Sequence, residues 1–288
     1  MDKIDRQSAT FRTVFLTATA MIAFAGNSLL CRAALKQTEI DAASFTSIRL
    51  LSGVIILWLL ISFKGKKSAK DGQGNWLSAI ALFIYAAGFS YAYISLATGT
   101  GALLLFGAVQ ATMIGYGFYS GERLNKLQSL GLILAFAGVI GLLLPGLSAP
   151  PLTGSLIMMV AGVAWGIYSI RGKGAGDPTV VSAGNFLRTM PFVIILAVLT
   201  LSNQSLDTAG IWYAIASGAL ASGLGYAIWY AVLPALTSTT ASTVQLSVPV
   251  IAAFAGIIFL SEPITLRFAL ASIALLGGIA LVILKKAP

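Results

Sequence analysis

The 288-residue chain has no histidine, a single cysteine and few charged residues, which make up 9% of its composition. Without histidine it lacks the usual general base near neutral pH and the commonest metal ligand. Cys31 alone cannot form an internal disulfide. Soluble domains carry about 25% charged residues, so an ordinary soluble domain is excluded. We expect neither a metal site nor a bound cofactor.

Hydrophobic residues make up 58% of the chain, and the mean hydropathy is +0.91. A helix needs about 20 apolar residues to cross the hydrocarbon core of a membrane. Ten apolar runs are long enough, at residues 12–35, 42–63, 75–97, 99–119, 126–144, 152–173, 180–201, 208–232, 237–260 and 265–284. None alternates with a period of two, as the strands of a β-barrel do. The sequence therefore predicts an all-α membrane protein with ten transmembrane helices.

The second half of the chain repeats the first. The sequence VIIL at residues 54–57 returns at residues 193–196, and an arginine precedes each copy by five residues, at Arg49 and Arg188. Between the copies, residues 144–152 contain three prolines and a glycine, through which a helix cannot continue. We predict two five-helix repeats, residues 1–147 and residues 148–288.

Lysine and arginine are distributed unevenly between the loops. If the N-terminus is cytoplasmic, most of them fall on the cytoplasmic side, and only Arg32, Lys36 and Arg267 fall on the other. The positive-inside rule therefore places both termini in the cytoplasm, and this clustering explains the net charge of +9 without a nucleic-acid partner. Five helices per repeat then insert the second repeat upside down. Inverted repeats supply the two equivalent faces that alternating access needs, which favours a transporter.

Acidic residues are absent from the middle of every predicted span. The nine are Asp2, Asp5, Glu39, Asp41, Asp71, Glu122, Asp177, Asp207 and Glu262, all outside the spans or at their edges. Proton-driven pumps usually carry an intramembrane Asp, Glu or His as a proton relay. We therefore predict a facilitator, or a transporter only weakly coupled to protons.

Tryptophan and tyrosine separate into two groups by depth. Trp58, Trp76 and Trp212 lie near the ends of spans, where indole rings settle at the lipid headgroups. The deeper group consists of Tyr85, Tyr91, Trp165, Tyr168, Tyr226, Trp229 and Tyr230. Packing in the core or against lipid is one interpretation of these rings. The other is an aromatic-lined cavity, because rings stack on rings and hold organic cations.

Uncharged polar side chains also lie deep within the spans. The two glutamines among them fall on equivalent spans of the two repeats. The amides that enter hydrocarbon are those of Asn27, Gln110, Asn185 and Gln245. Interhelical hydrogen bonding and substrate contact explain such residues equally well.

Two pairs of charged residues occupy equivalent positions in the repeats. Arg49 and Arg188 lie two turns inside their spans, where we favour snorkelling or hydrogen bonds to backbone carbonyls over the capture of a carboxylate. Glu122 and Glu262 follow the fourth and ninth spans, and we interpret both as caps or loop anchors.

Each repeat closes its fourth span with Gly121-Glu122 or Ser261-Glu262, and a glycine-rich fifth span follows. Over essentially the whole chain, this pattern resembles the EamA-type exporters of the drug/metabolite transporter superfamily. It most resembles the bacterial inner-membrane exporters associated with aromatic amino acids and the dication methyl viologen. The resemblance implies ten helices, cytoplasmic termini and a central substrate cavity between the repeats. The usual proline of the fourth span is present as Pro249 but replaced by Val109 in the first repeat.

We therefore expect a bacterial inner-membrane exporter of small amphipathic metabolites, first of all aromatic amino acids, with organic cations such as methyl viologen as further candidates. Its partners would be this small-molecule substrate and membrane lipid, and a monomer is a plausible state. Rings would stack on the substrate ring, and amides would bond its ammonium and carboxylate groups. The expected site residues are Asn27, Tyr85, Gln110, Trp165, Tyr168, Tyr226, Trp229 and Gln245.

Three alternatives stay open. A sugar or nucleotide-sugar carrier of the same superfamily would call for more deep charge. A membrane-embedded enzyme acting on lipid would need a nucleophile with a base, or a metal. A channel would need rings of charge or filter carbonyls.

Overall fold

The computed structural model describes residues 3–63, 73–121, 123–172, 175–232, 235–236 and 244–284. All regular structure in these ranges is helical, and nine helical stretches are long and apolar enough to cross a membrane. The shorter apolar helix Ser247–Leu260 occupies the predicted position of the ninth span. Residues 237–243, at the predicted start of that span, lie outside the described residues, as does Glu122.

The first repeat consists of five helices: α1 (Lys3–Gln37), α2 (Ala42–Phe63), α3 (Trp76–Tyr93), α4 (Thr98–Tyr119) and α5 (Lys126–Leu143). Short polar side chains begin two of them. The side chain of Asn75 accepts a hydrogen bond from the backbone of Ser78 at the start of α3. Asn125 and Gln128 form a reciprocal capping box at the start of α5, which satisfies backbone donors that the helix itself cannot pair.

The second repeat begins with α6 (Leu152–Gly172) and is less regular. Its second span is divided at Thr189 into α7 (Pro178–Arg188) and α8 (Met190–Leu199), and the division coincides with Pro191 in the first turn of α8. A 3₁₀ turn (Leu201–Asn203) follows α8. The last two helices are α11 (Ser247–Leu260) and α12 (Leu266–Leu284).

The eighth span contains a wide π-helical segment. It consists of α9 (Thr208–Ile215), the π segment Ala216–Leu224 and α10 (Gly225–Val232). Gly218 of the π segment lies so close to α2 that a Cβ atom there would collide with the backbone carbonyl oxygen of Arg49 and the hydroxyl of Ser52. Only glycine permits this approach, which brings the π segment into contact with the middle of the first repeat.

The first helix of each repeat packs inside the other repeat. Helix α1 lies against α9, the π segment, α10 and α11, while α6 lies against α3 and α4. Exchanging the two repeats converts one set of contacts into the other. The chain is therefore an all-α membrane protein built from two inverted five-helix repeats.

The last helices of the repeats, α5 and α12, form the most extensive helix pair of the structure. Their backbones meet at glycines: a Cβ atom on Gly138 would lie 2.8 Å from the backbone nitrogen of Leu275, and one on Gly278 would lie 2.6 Å from that of Ala135. Small residues at such crossings let helices associate through close van der Waals contact, which replaces the hydrophobic effect inside a membrane.

Replacing Gly278 with alanine should destabilise the protein by about 1–3 kcal/mol, because the added methyl group has no room against α5. Gly277→Ala is the matched control, since a Cβ atom at Gly277 meets nothing within 4 Å. Thermal unfolding of the detergent-purified variants would measure the difference. Equal melting temperatures for the two variants would mean that α5 and α12 do not meet at Gly278.

Candidate functional site

A small cavity lies in the middle of the helix bundle, where the two repeats meet. We call it the central cavity, and its walls are Phe24, Asn27, Ser28, Tyr85, Phe89, Leu105, Phe106, Trp165, Ala221 and Tyr226. The volume open to the centre of a water molecule is about 20 Å³, so the cavity holds about one water. An organic substrate therefore requires the helices to move apart.

Four of the eight expected site residues line this cavity: Asn27, Tyr85, Trp165 and Tyr226. Two others stand behind its walls. Tyr168 packs on Trp165 with ring centroids 5.4 Å apart, and Trp229 packs on Phe24 at 6.1 Å.

The two glutamines lie outside the cavity walls in this conformation. Gln110 is buried on α4, one helical turn beyond the wall residue Phe106, and its amide nitrogen has no hydrogen-bond partner among the described residues. Gln245 is half-buried just before α11. The structure thus brings six of the eight expected residues together in or behind the cavity walls, and Gln110 and Gln245 are not part of those walls.

Aromatic rings form a continuous cluster along one side of the cavity. The Trp165 ring lies 4.7 Å from the Tyr85 ring and 5.0 Å from the Tyr226 ring, measured between centroids. The Tyr226 ring also contacts Phe24 at 5.9 Å and Phe186 at 6.0 Å. These separations are typical of favourable aromatic contacts. The indole of Trp165 is the centre of the cluster, because it joins rings from both repeats.

A hydrogen-bond network forms the polar side of the cavity. The Asn27 amide nitrogen donates to the Tyr85 hydroxyl at 3.3 Å, and the Ser217 hydroxyl donates to the Asn27 amide oxygen at 2.6 Å. Asn27 and Tyr85 belong to the first repeat, and Ser217 belongs to the π segment of the second. The network therefore crosses between the repeats at the centre of the bundle.

Arg49 completes this network and corrects our interpretation of its role. Its side chain does not snorkel, since it is 1% exposed, and it bonds no backbone carbonyl of the described residues. It donates instead to the Tyr85 hydroxyl at 3.1 Å and to the Ser222 hydroxyl at 3.4 Å. Its guanidinium carbon stands 5.2 Å from the centroid of the Tyr85 ring and 4.8 Å from that of Phe89. Arg49 thus lies directly behind two residues of the cavity wall.

The contacts of Arg49 leave its burial incompletely compensated. Burying an ion costs several kcal/mol even after relaxation, while a desolvated cation–π contact contributes about 2 kcal/mol. Atom Nη1 of Arg49 is buried and has no hydrogen-bond partner among the described residues, a situation that costs about 1–3 kcal/mol or more for a charged group. An uncompensated charge at this depth is typical of a functional site.

Arg188, the equivalent residue of the second repeat, behaves as expected. Its guanidinium donates to the backbone carbonyls of Gln73 at 2.5 Å and Gly184 at 3.0 Å, and the residue is only partly buried. The structural role that we favoured for both arginines is therefore confirmed for Arg188 and wrong for Arg49.

Contacts between the repeats close the bundle at the end where α1 turns into α2, which we call the α1–α2 end. Arg32 pairs with Glu262 at 3.2 Å and donates to the backbone carbonyl of Tyr93 at 2.8 Å. Glu262 also accepts from the backbone nitrogen of Thr98 at 2.8 Å, which caps α4. The interpretation of Glu262 as a cap is confirmed, while Glu122 lies outside the described residues.

Asp41 fastens the same end of the bundle. Its carboxylate accepts from the backbone nitrogens of Ala43, Ser44 and Ser205, each at 2.9 Å. Burial alone would raise the pKa of this carboxyl, but the hydrogen bonds from Ser44, Ser205 and Ala43 outweigh burial and hold the pKa below its usual value. The stability that these bonds supply is present above the usual pKa, near 3.9, and is lost only as the pH falls further.

A second set of contacts closes the opposite end, between α2 and α3, which we call the α2–α3 end. The backbone nitrogen of Asn75 donates to the Asn185 side chain at 2.8 Å, and Arg171 donates to the Asn75 side chain at 3.1 Å and to the Ser78 hydroxyl at 3.2 Å. Arg188 contributes its bond to Gln73 here. With both ends held, the cavity lies between two closures.

Comparison with known proteins decides the family. The model of the EamA-like transporter family matches residues 11–144 and again residues 152–284. The chain belongs to the EamA-like transporter family. Because members of this family are transporters, a membrane-embedded enzyme is no longer an alternative. Within the described residues of this EamA-like transporter, no three Cys, Asp or Glu side chains come together as metal ligands.

Its relatives extend over nearly the whole chain. An uncharacterized protein of Pseudomonas aeruginosa is 55% identical, with 96% of each chain covered. The threonine/homoserine exporter RhtA of Escherichia coli is 26% identical over 90% of this chain and 87% of that protein. A protein of known crystal structure has the same fold, with a TM-score of 0.64 at 17% identity over 96% of this chain and 99% of that one.

Several residues of this EamA-like site could not be recognised from the sequence. Phe24 and Phe89 line the cavity, but apolar rings on a membrane helix carry no mark that separates a wall from a lipid contact. Ser217 bonds Asn27 and Ser222 bonds Arg49, and both serines are positioned by the π segment. The run of small residues ASGALASG at 216–223 was the available signal, because small residues on a membrane helix let neighbouring helices approach closely.

Replacing Glu262 with alanine should lower the stability of this EamA-like transporter by about 1–3 kcal/mol, because it leaves the buried Thr98 nitrogen without an acceptor and removes the partner of Arg32. Glu39→Ala is the matched control, since Glu39 is an exposed carboxylate at the same end of the bundle. Melting temperatures of the purified variants would compare the two. A loss no larger than that of the control would contradict the capping role.

Proposed function

We propose that the chain exports small amphipathic metabolites, with aromatic amino acids as the first substrate class, across the bacterial inner membrane. The observation that carries this proposal is the central cavity, in which the rings of Tyr85, Trp165 and Tyr226 stand beside the network of Asn27 and Arg49. An amino acid with an aromatic side chain presents both matching parts, a ring and charged groups. The similarity to RhtA supports amino acids as cargo, and the resemblance of the sequence to exporters associated with aromatic amino acids directs the proposal to aromatic side chains.

Transport would proceed by alternating access. Opening the α1–α2 end requires separation of Arg32 from Glu262, and opening the α2–α3 end requires separation of Asn75 from Asn185 and Arg171. Each of these contacts joins the two repeats, so rocking one repeat against the other opens one end while the other stays closed. With both termini cytoplasmic, as we propose, the α1–α2 end faces away from the cytoplasm.

The transporter would be facilitative or only weakly coupled to protons. The central cavity has no carboxylate and no histidine in its walls, so the usual proton relay is lacking there. Glu262, the buried acid among the described residues, is engaged with Arg32 and Thr98 at the α1–α2 end instead.

The first test is uptake of labelled phenylalanine, tryptophan, threonine and glycine into liposomes that contain the purified protein. We expect saturable uptake of the two aromatic amino acids, little uptake of glycine, and the same rates with and without a pH gradient. Uptake of threonine alone would move the substrate class to that of RhtA. Uptake of sugars but of no amino acid would overturn the proposal.

Trp165→Ala should impair phenylalanine uptake, because the substrate loses a stacking surface worth about 1 kcal/mol, which raises the KM by roughly fivefold. Trp165→Leu separates stacking from packing, since leucine keeps apolar volume without a ring. Trp212→Leu is the matched control, because Trp212 is 65% exposed at the surface of α9.

Uptake kinetics of phenylalanine and of leucine would measure this effect. We expect the Trp165 variants to lose preference for phenylalanine over leucine while eluting from a sizing column as the wild-type protein does. An unchanged preference would identify Trp165 as a packing residue.

A further inference from the structure

Arg49 is a buried cation whose surroundings supply no anion. No acidic side chain among the described residues pairs with it, and its contacts are two hydroxyl groups and two aromatic rings. Glu262, the buried acid among the described residues, is paired with Arg32 at the α1–α2 end, and Asp41 accepts from backbone nitrogens at the same end. A cation in such a position lacks the partner that burial of charge ordinarily demands.

The missing partner has a defined place to bind. Tyr85 and Phe89, which cover the guanidinium, are themselves walls of the central cavity, and Ser222 adjoins the wall residue Ala221. Nη1 of Arg49 remains a buried donor with no partner among the described residues. Only the side chains of Tyr85 and Phe89 therefore separate Arg49 from the cavity, and its Nη1 group is free to donate a further hydrogen bond.

Tyr85 connects the charge to the cavity. Its hydroxyl oxygen accepts hydrogen bonds from Asn27 and from Arg49. Because the oxygen then has both acceptor positions filled, the hydroxyl proton remains for donation, either to the neighbouring Tyr226 hydroxyl or to a bound molecule. Donation from a guanidinium polarises this hydroxyl and makes it a stronger donor, which suits an anionic acceptor.

We propose that Arg49, acting with Tyr85, is the carboxylate receptor of the central cavity and restricts transport to substrates that carry a carboxylate. This inference rests on the proposed function, since it assigns the substrate class of the same cavity. The carboxylate accepts from the Tyr85 hydroxyl and, once the helices separate to admit a substrate, from Nη1 of Arg49. Organic cations, including the methyl viologen considered from the sequence, are excluded because the unpaired charge of Arg49 repels them.

The second repeat provides an internal comparison. Arg188 occupies the equivalent position, but its donors are taken by backbone carbonyls at the α2–α3 end. A purely structural arginine at this point of the repeat therefore finds carbonyl partners. Arg49 lacks them and faces cavity residues instead, which argues that its position serves a ligand rather than the fold.

The test is competition against labelled phenylalanine uptake in liposomes that contain the full-length purified protein. One competitor, 3-phenylpropionate, keeps the ring and the carboxylate, and the other, phenethylamine, keeps the ring and the ammonium group. For the wild-type protein we expect competition by 3-phenylpropionate and none by phenethylamine. Equal competition by both would overturn the proposal.

Arg49→Gln should weaken competition by 3-phenylpropionate by roughly 10- to 100-fold, the range expected when a charged hydrogen-bond partner is lost, and should admit phenethylamine. Arg49→Lys should retain the preference for the carboxylate. Arg188→Gln is the matched control: its transport rate changes if the α2–α3 end is loosened, but its order of preference stays that of the wild type. An unchanged order in Arg49→Gln would overturn the proposal.

Two further measurements distinguish failure of the carboxylate-receptor proposal from misfolding of Arg49→Gln and from failure of the proposed function. If Arg49→Gln does not yield monodisperse protein, Tyr85→Phe carries the test, since it removes the hydroxyl and keeps the ring, and we expect it to weaken 3-phenylpropionate competition selectively. If the wild type takes up no phenylalanine, the proposed function fails, and thermal stabilisation in detergent decides the inference. Stabilisation by 3-phenylpropionate that Arg49→Lys keeps and Tyr85→Phe loses supports a carboxylate receptor, and no stabilisation overturns it.

Discussion

Inside a hydrocarbon layer a polar side chain cannot hydrogen-bond to water, so its hydrogen-bond partner must come from the protein. This constraint decides the organisation of the chain. At both ends of the bundle, arginines and amides find backbone carbonyls and one another across the two repeats. At the centre, Asn27 hydrogen-bonds both Tyr85 and Ser217 of the π segment. Arg49 is the member of this central group whose charge remains without an opposite charge.

The architecture was predictable because its signals are periodic and redundant. Ten long apolar runs, a repeated VIIL segment and a proline-rich break all point to two copies of one unit, and each signal is independent of the others. Inversion follows from an odd number of spans per repeat. The irregular parts could not be predicted in the same way, since the small residues of Ala216–Leu224 indicate close helix packing but do not distinguish a π-helical backbone from an α-helical one.

The site was predictable only in part, because the sequence gives the type of residue at each position but not the groups that surround its side chain. Large amphipathic rings such as Tyr85 and Trp165 are rare enough at depth to mark a cavity. Arg49 and Arg188 are identical by sequence position, yet one contacts rings and hydroxyls and the other contacts backbone carbonyls. Symmetry in the sequence therefore misled the interpretation, because the two repeats share their fold while their chemistry has diverged.

The exchange of first helices between the repeats has a consequence for biogenesis. Helix α1 makes most of its contacts with α9, the π segment, α10 and α11. The first of these helices begins at Thr208, 171 residues after α1 ends at Gln37 (208 − 37). At roughly 5–20 residues per second, on the order of ten seconds or more pass before Ser217 can bond the Asn27 side chain. Until then Tyr85 on α3 is the partner of Asn27 that has already been made. Because Ala221 and Tyr226 of the eighth span line the central cavity, the cavity is complete only after that span has packed beside α1, as one of the last steps of assembly.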